Sequence, residues 1–248
     1  MSKSIEIDIQ NYVSQFYEES RYQKDYSLLY HKWWNKKMLS FVSVNGKVLD
    51  NGCGTGIMGS TLSDAPELLV GLDISINMLK YAKCRLDKIV HGDSQKLPFQ
   101  DNSFNVVIGR SLLHHLPDPF QGLKEMARVL KNNGEMIIVD TNNSILSHVP
   151  RIIANKGKHF SDDHKNMSHK ELIHMIQQLF IVETVYFFGY LAYPIGFPDV
   201  FDIGKYLPSP IHNTKTLIKI DELISRIPLL RTQSWGIMIK GIKKGQVL

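Results

Sequence analysis

The sequence predicts an α/β fold built on a doubly wound, mostly parallel sheet of seven strands, and two observations carry that expectation. Short aliphatic runs recur without polar alternation of their own, as strands covered on both faces require. Helix-like stretches separate them, the alternation that parallel strands joined by crossover helices impose. In order, strands are expected at 47–50 (KVLD), 68–74 (LLVGLDI), 88–93 (KIVHGD), 104–109 (FNVVIG) and 135–140 (EMIIVD), with helices over 56–62, 75–86 and 120–130. Gly46 and Gly134 each stand just before a strand, where a helix-to-strand turn asks for positive φ.

The flanks read differently. Residues 8–42 look helical and carry Tyr12, Phe16, Tyr17, Tyr22, Tyr26, Tyr30, Trp33 and Trp34, a composition suited to packing over one end of the sheet. Ser168 and Glu171 have the spacing of a capping box and open an apolar-periodic helix. A sixth strand is expected at 181–188 and a seventh at 235–244, with an insertion over 189–231 that holds a helix at 214–227. The chain is thus expected to form one domain: a helical cap (1–42), a core (43–188 and 232–248) and a lid insertion (189–231) at the mouth of the sheet.

Composition narrows the function. A chain of 248 residues, 43% hydrophobic and 21% charged, suits a soluble protein with one full core. The net charge of +5 is spread along the chain rather than gathered into a stripe, which argues against a nucleic-acid partner. Cys53 and Cys84 offer neither a disulfide framework nor a zinc spacing, so no metal is expected. The opening MSKSIEIDIQ lacks the apolar core of a signal peptide. The most apolar stretch, 185–198, is interrupted by Gly189, Pro194, Gly196 and Pro198 and falls short of the roughly 20 residues that span a bilayer. A cytoplasmic protein without stable membrane insertion is expected; the oligomeric state stays open.

The most informative segment is KVLDNGCGTGIMG, residues 47–59. Gly52, Gly54, Gly56 and Gly59 follow the first strand directly, so the backbone can turn sharply and approach a ligand closely. Gly54 to Gly59 even fits G-x-G-x-x-G, with Asp73 in the place of the ribose-binding acid of a dinucleotide site. Charge separates the readings. Asp50 ends the first strand where a dinucleotide would put its pyrophosphate, and two like charges there repel. A cationic nucleoside without phosphate is attracted by the same acid.

The segment Val48-Leu49-Asp50-Asn51-Gly52-Cys53-Gly54-Thr55-Gly56 resembles the first motif of class I S-adenosylmethionine-dependent methyltransferases. Val70 to Ser75 around Asp73, His91 to Phe99 around Asp93, and the stretches 101–119 and 122–140 resemble that family's later motifs in order, in particular the ubiquinone and menaquinone C-methyltransferase-like branch. The resemblance covers roughly residues 40–142, and Asn51 departs from the small or apolar residue common at its position. It implies a Rossmann-like seven-stranded sheet with the last strand antiparallel, and S-adenosyl-L-methionine as cofactor with S-adenosyl-L-homocysteine as product. Asp50, Gly52, Cys53, Gly54 and Gly56 would form the cofactor turn, with Asp73 on the ribose hydroxyls. Ile74 and Met78 would flank the adenine, Asp93 and Ser94 would face its edge, and the Arg110 carbonyl would meet the methionine ammonium.

Methyl transfer from a sulfonium demands positioning, exclusion of water and, for some acceptors, removal of a proton. His114 and His115 follow the fourth strand at the switch-point edge, and histidine suits proton removal near neutral pH; packing is their competing role. Asp140 ends the fifth strand, where it orients an acceptor group or caps a turn. Tyr17, Tyr22 and Tyr26 are lid candidates by the resemblance, or helix packing by their spacing. Tyr186, Phe187, Phe188, Tyr190, Tyr193, Phe197 and Phe201 form either an apolar acceptor pocket or core. The expected reaction is methylation of an apolar or partly apolar small molecule, at oxygen, nitrogen or carbon. An NAD-dependent oxidoreductase and a cofactor-binding module without methyl transfer are the alternatives.

Overall fold

The computed structural model describes residues 3–62, 66–147, 167–198 and 203–245. Phe201 lies outside them. The chain opens with α1 (Lys3–Tyr22) and α2 (Asp25–Leu39), then alternates β1 (Lys47–Asn51), β2 (Leu68–Asp73), α3 (Ile76–Ala82), β3 (Lys88–His91), β4 (Phe104–Arg110), α4 (Pro119–Val129) and β5 (Leu130–Thr141). After α5 (His169–Gln177) and β6 (Phe180–Phe188), the insertion contributes α6 (Tyr193–Gly196), α7 (Pro210–Ile224) and α8 (Pro228–Arg231) before β7 (Gly236–Lys243).

One sheet runs in the order β3-β2-β1-β4-β5-β7-β6. The pairs from β3 through β5 are parallel, and β7 is antiparallel to both of its neighbours. The fold is therefore the doubly wound α/β sheet that the sequence predicts, with its reversed strand in the expected place. Aliphatic side chains alternate between two cores: Val48, Val106 and Ile108 join Tyr30, Trp34 and Met38 of α2 on one face, while Leu49 and Val107 join Leu123 and Met126 of α4 on the other. Two buried faces explain why these strands read as continuous apolar runs.

Three helix starts carry the caps that local chemistry favours. The Ser75 hydroxyl accepts from Met78 N–H, the Asp118 carboxylate from Gln121 N–H, and Ser168 forms the full capping box with Glu171.

The helical cap is two helices, parted at Lys24, which is extended (φ −86°, ψ 117°). Two local expectations differ. No α-helix follows the glycine turn; the chain makes one 3₁₀ turn at Gly59–Thr61, with Gly59 pressed so closely on Leu86 and the Arg85 carbonyl that a side chain would clash. The positive φ expected at Gly134 falls on Asn133 (+59°), inside β5, which begins earlier than expected at Leu130; the missing side chain of Gly134 instead makes room for Leu130 and the Lys131 carbonyl. Gly46 has the expected positive φ, +71°.

Candidate active site

Strand order reverses beside β1: the chain runs outward through β2 and β3, then returns to β4 on the other side. Ligands of such sheets bind at the carboxyl ends of the strands next to this switch point. Asp50, Asp73, Arg110 and Asp140 all stand at those ends.

The turn after β1 is held by its own backbone. Gly52 and Cys53 N–H both donate to the Leu72 carbonyl, at 2.8 and 3.0 Å, and Gly54 N–H donates to Asp73 Oδ2 at 2.8 Å. Gly52, Gly54 and Gly56 have φ of +74°, +54° and +74°. A Cβ placed on Gly54 would meet no heavy atom within 4 Å, so the turn leaves space there for another molecule.

The acids around it are buried. Asp50 is 2% exposed, and its Oδ2 has no hydrogen-bond partner among the described residues. Burial pushes its carboxyl up to about 7; Arg110 opposes the rise and Asp73 adds to it. The carboxyl of Asp73 is also raised by burial, against the lowering effect of the Ser75 and Gly54 amides that bind it. The Cys53 thiol is pushed far up by burial and by these two acids, which keeps it a neutral wall of the turn. Asn51 answers the departure noted in the motif: its Oδ1 accepts from Ser94 Oγ at 2.8 Å and ties β1 to the loop after β3. Asp93 forms an Asx turn, with Oδ1 taking the Gln95 N–H. Met78 is buried and Ile74 half-buried at the end of β2, where the Ile74 carbonyl meets His91 Nε2.

α1 lies across this edge. Ser75 Oγ donates to Asn11 Oδ1, and Arg85 makes a two-pronged bond to Glu18 at 2.7 and 2.8 Å while also holding the Thr55 carbonyl. From α2, Asn35 accepts from Arg110 Nη1, and the Arg110 guanidinium lies 5.4 Å from the Trp34 ring. His31 sits among Tyr22, Trp34 and Phe197 rings and bonds the Gly196 carbonyl through Nε2 at 2.9 Å. A carbonyl only accepts, so Nε2 carries the proton and Nδ1 keeps a lone pair. Burial, with Arg110 and Arg21 nearby, holds this imidazole well below its ordinary pKa and therefore neutral. Its Nδ1, the Trp34 indole N–H and the Asn35 amide nitrogen are all buried without a partner among the described residues. Unpaired polar atoms of this kind are costly unless a bound molecule or water completes them.

The histidines after β4 have different partners. Asp140 accepts the backbone N–H of Leu113 and His114 on Oδ2, and His114 Nδ1 lies 2.5 Å from Oδ1. Burial alone would raise the Asp140 carboxyl, but the His114 charge and hydrogen bond bring it below the usual range. Asp140 thus both caps the turn and orients His114. His115 pairs through Nδ1 with Glu6 of α1 at 3.0 Å, and burial beside His114 lowers its pKa despite that acid.

The structure brings most of the predicted site residues to one edge; Tyr26 and Tyr190 are exceptions. Tyr17 and Tyr22 lie with Arg21 and Arg110, whereas the Tyr26 ring is stacked on Gly204 of the insertion. Tyr190 is a strut: its hydroxyl donates to the Arg231 carbonyl and its N–H to Asp221. Glu6, His31 and Asn35 were not expected from the sequence. For the last two a signal existed, polar residues four apart on the helix face that carries Trp34.

Residues 49–138 match the methyltransferase domain family. A demethylmenaquinone methyltransferase from Staphylococcus epidermidis is 39% identical over 126 residues, which cover 47% of this chain and 52% of that protein; its counterpart from Staphylococcus aureus matches equally. The chain spans about half the length of the curated relatives it matches. Among solved structures, an S-adenosylmethionine-dependent methyltransferase from Thermotoga maritima covers 96% of this chain and 100% of its own at a TM-score of 0.66 and 18% identity. The [4+2]-cyclase SpnF covers 86% and 80% at a TM-score of 0.59 and 16% identity. Residues 49–138 are thus similar to methyltransferase domains, and the sheet that holds them has the order β3-β2-β1-β4-β5-β7-β6. Over 126 residues the sequence is similar to the demethylmenaquinone methyltransferases, while the structural likenesses speak for the fold alone.

Proposed function

We propose that this protein methylates a small, partly apolar molecule, with S-adenosyl-L-methionine bound at the glycine turn. The observation that carries the reading is Asp50: a buried carboxylate with an unpaired oxygen, beside Asp73 and a glycine turn with open space, asks for a cation and repels a phosphate. Bound there, the cofactor supplies a methyl carbon on a sulfonium leaving group. Asp73 would hold the ribose hydroxyls, Ile74 and Met78 the faces of the adenine, Asp93 and Ser94 its edge, and Asp50 with the Arg110 carbonyl the ammonium end.

His114 is the proposed proton acceptor. Its Nδ1 faces Asp140, and a proton leaving an acceptor hydroxyl or acidic carbon is taken to go to Nε2 of the same ring. The acceptor itself is proposed to lie under α1, α2 and residues 190–197, between the Trp34, Tyr22 and Phe197 rings, with the Arg110 and Asn35 donors toward its oxygen atoms. A quinone-type aromatic acceptor suits that lining and is favoured by the names of the staphylococcal relatives.

Thermal-shift measurement with saturating S-adenosylhomocysteine and, separately, NADH tests the cofactor: a rise with the first only is expected, and a rise with NADH alone would sink the proposal. Tight cofactor binding with no methyl transfer to any quinol, phenol or amine acceptor would favour the binding-module reading. Comparison of His114→Ala and His115→Ala tests the proton acceptor. A fall in kcat of about 100-fold, with cofactor affinity kept, is expected for His114 alone.

A further inference from the structure

The insertion carries a second surface that the methyl-transfer chemistry does not use. On α7, Thr214, Ile218 and Asp221 are buried against the body of the protein, Lys215, Lys219 and Leu223 cover the opposite face, and Arg226 is exposed just past its end. Beyond it, Leu229 is 86% exposed, and Tyr206, Ile227 and Leu230 also face outward. Ile145 joins them, since its neighbour Ser144 is bonded to the Gln233 and Ser234 carbonyls just past α8.

Charge says what this surface meets. Between Ile203 and Arg231, Lys205, Lys215, Lys219, Arg226 and Arg231 are exposed, while the two acids of the segment turn inward. Asp221 is buried on the amides of Tyr190, Leu191 and Ala192, and Glu222 takes the Trp33 indole N–H. Asp199 and Asp202 lie outside the described residues. Large aliphatic side chains at the tip with lysines and arginines around them fit the boundary of an anionic lipid bilayer, where acyl chains take the former and headgroups the latter. A second copy of the chain would bring cation against cation.

We propose that α7, α8 and the adjoining Ile145 turn form a peripheral docking surface for anionic lipid. No helix among the described residues is long and apolar enough to cross a membrane, so this is attachment at the surface, and it stands whether or not the reaction proposed above is correct. Asp221 joins the docking helix to residues 190–192, and the same loop goes on to the Gly196 carbonyl that holds Ser27 and His31. Docking would therefore bring the mouth of the aromatic chamber toward the bilayer.

Cosedimentation of the full chain with phosphatidylcholine vesicles, with and without phosphatidylglycerol, tests the proposal. Binding that requires phosphatidylglycerol is expected. The pairs Leu229→Ser with Leu230→Ser, and Lys215→Glu with Lys219→Glu, should each lower it by about tenfold or more. Because all four side chains are exposed, the melting temperature should not move, which separates lost docking from lost folding. Failure to bind anionic vesicles, equal binding to neutral ones, undiminished binding by both pairs, or a dimer in light scattering that the leucine pair disperses would each overturn it.

Discussion

Asp50 carries a charge whose cost depends on what is bound beside it. Its carboxyl titrates near 7 in the folded chain against 3.8 for the free side chain, so the folded state holds a proton that the unfolded state releases. Its contribution to stability without ligand is therefore greatest below about pH 4 and is lost as pH climbs through 7. A cationic ligand needs the ionised form, so the affinity for S-adenosylmethionine should rise about tenfold between pH 6 and pH 8 and become flat in Asp50→Asn, as calorimetry would show. Asp73→Ala should weaken S-adenosylhomocysteine binding more than tenfold by leaving two ribose hydroxyls without an acceptor; unchanged affinity would remove Asp73 from the ribose. These acids were legible in the sequence because each ends a strand recognisable by itself. His31 was not, because its role comes from Gly196, 165 residues away, and from Arg110 at the end of β4.

At the scale of elements, one side chain ties α7 to the loop that follows β6. Asp221 accepts three backbone N–H groups from residues 190–192, although burial raises its own carboxyl pKa. Asp221→Ala should cost about 3 kcal/mol in urea unfolding, because buried donors lose their acceptor, and should speed amide exchange over 189–197. Asp221→Asn keeps an acceptor oxygen and should recover part of the loss. The capping box of α5 is a smaller and fully local device, and Ser168→Ala should cost about 1 kcal/mol. That box could be read from four residues. The absence of a helix after the glycine turn could not, since it depends on how tightly Gly59 meets Leu86 and Arg85 from the end of α3.

At the scale of the molecule, cover and floor of the site come from separate parts of the chain: α1 and α2 above, the ends of β1, β2 and β4 below. Hydrogen exchange should thus show protection by S-adenosylhomocysteine over 50–56, 73–78 and 8–22 together, with 223–231 unchanged; protection confined to the turn would mean that α1 does not close over the ligand. The sheet itself was legible, because alternation of aliphatic runs and helices survives without knowledge of contacts. The order in which its strands are made has a further consequence. β7 lies between β5 and β6 yet follows both in the chain. While a nascent chain is still being extended through the insertion, β5 and β6 present open edges to each other, separated by roughly twice the 4.8 Å strand spacing. Until residues 236–243 enter that slot, the half-built sheet can capture a strand from a neighbouring polypeptide. Translation stalled before Trp235 should consequently give aggregated product, and the final hydrogen-bonding step of this sheet is an insertion into a gap rather than an addition to a free edge.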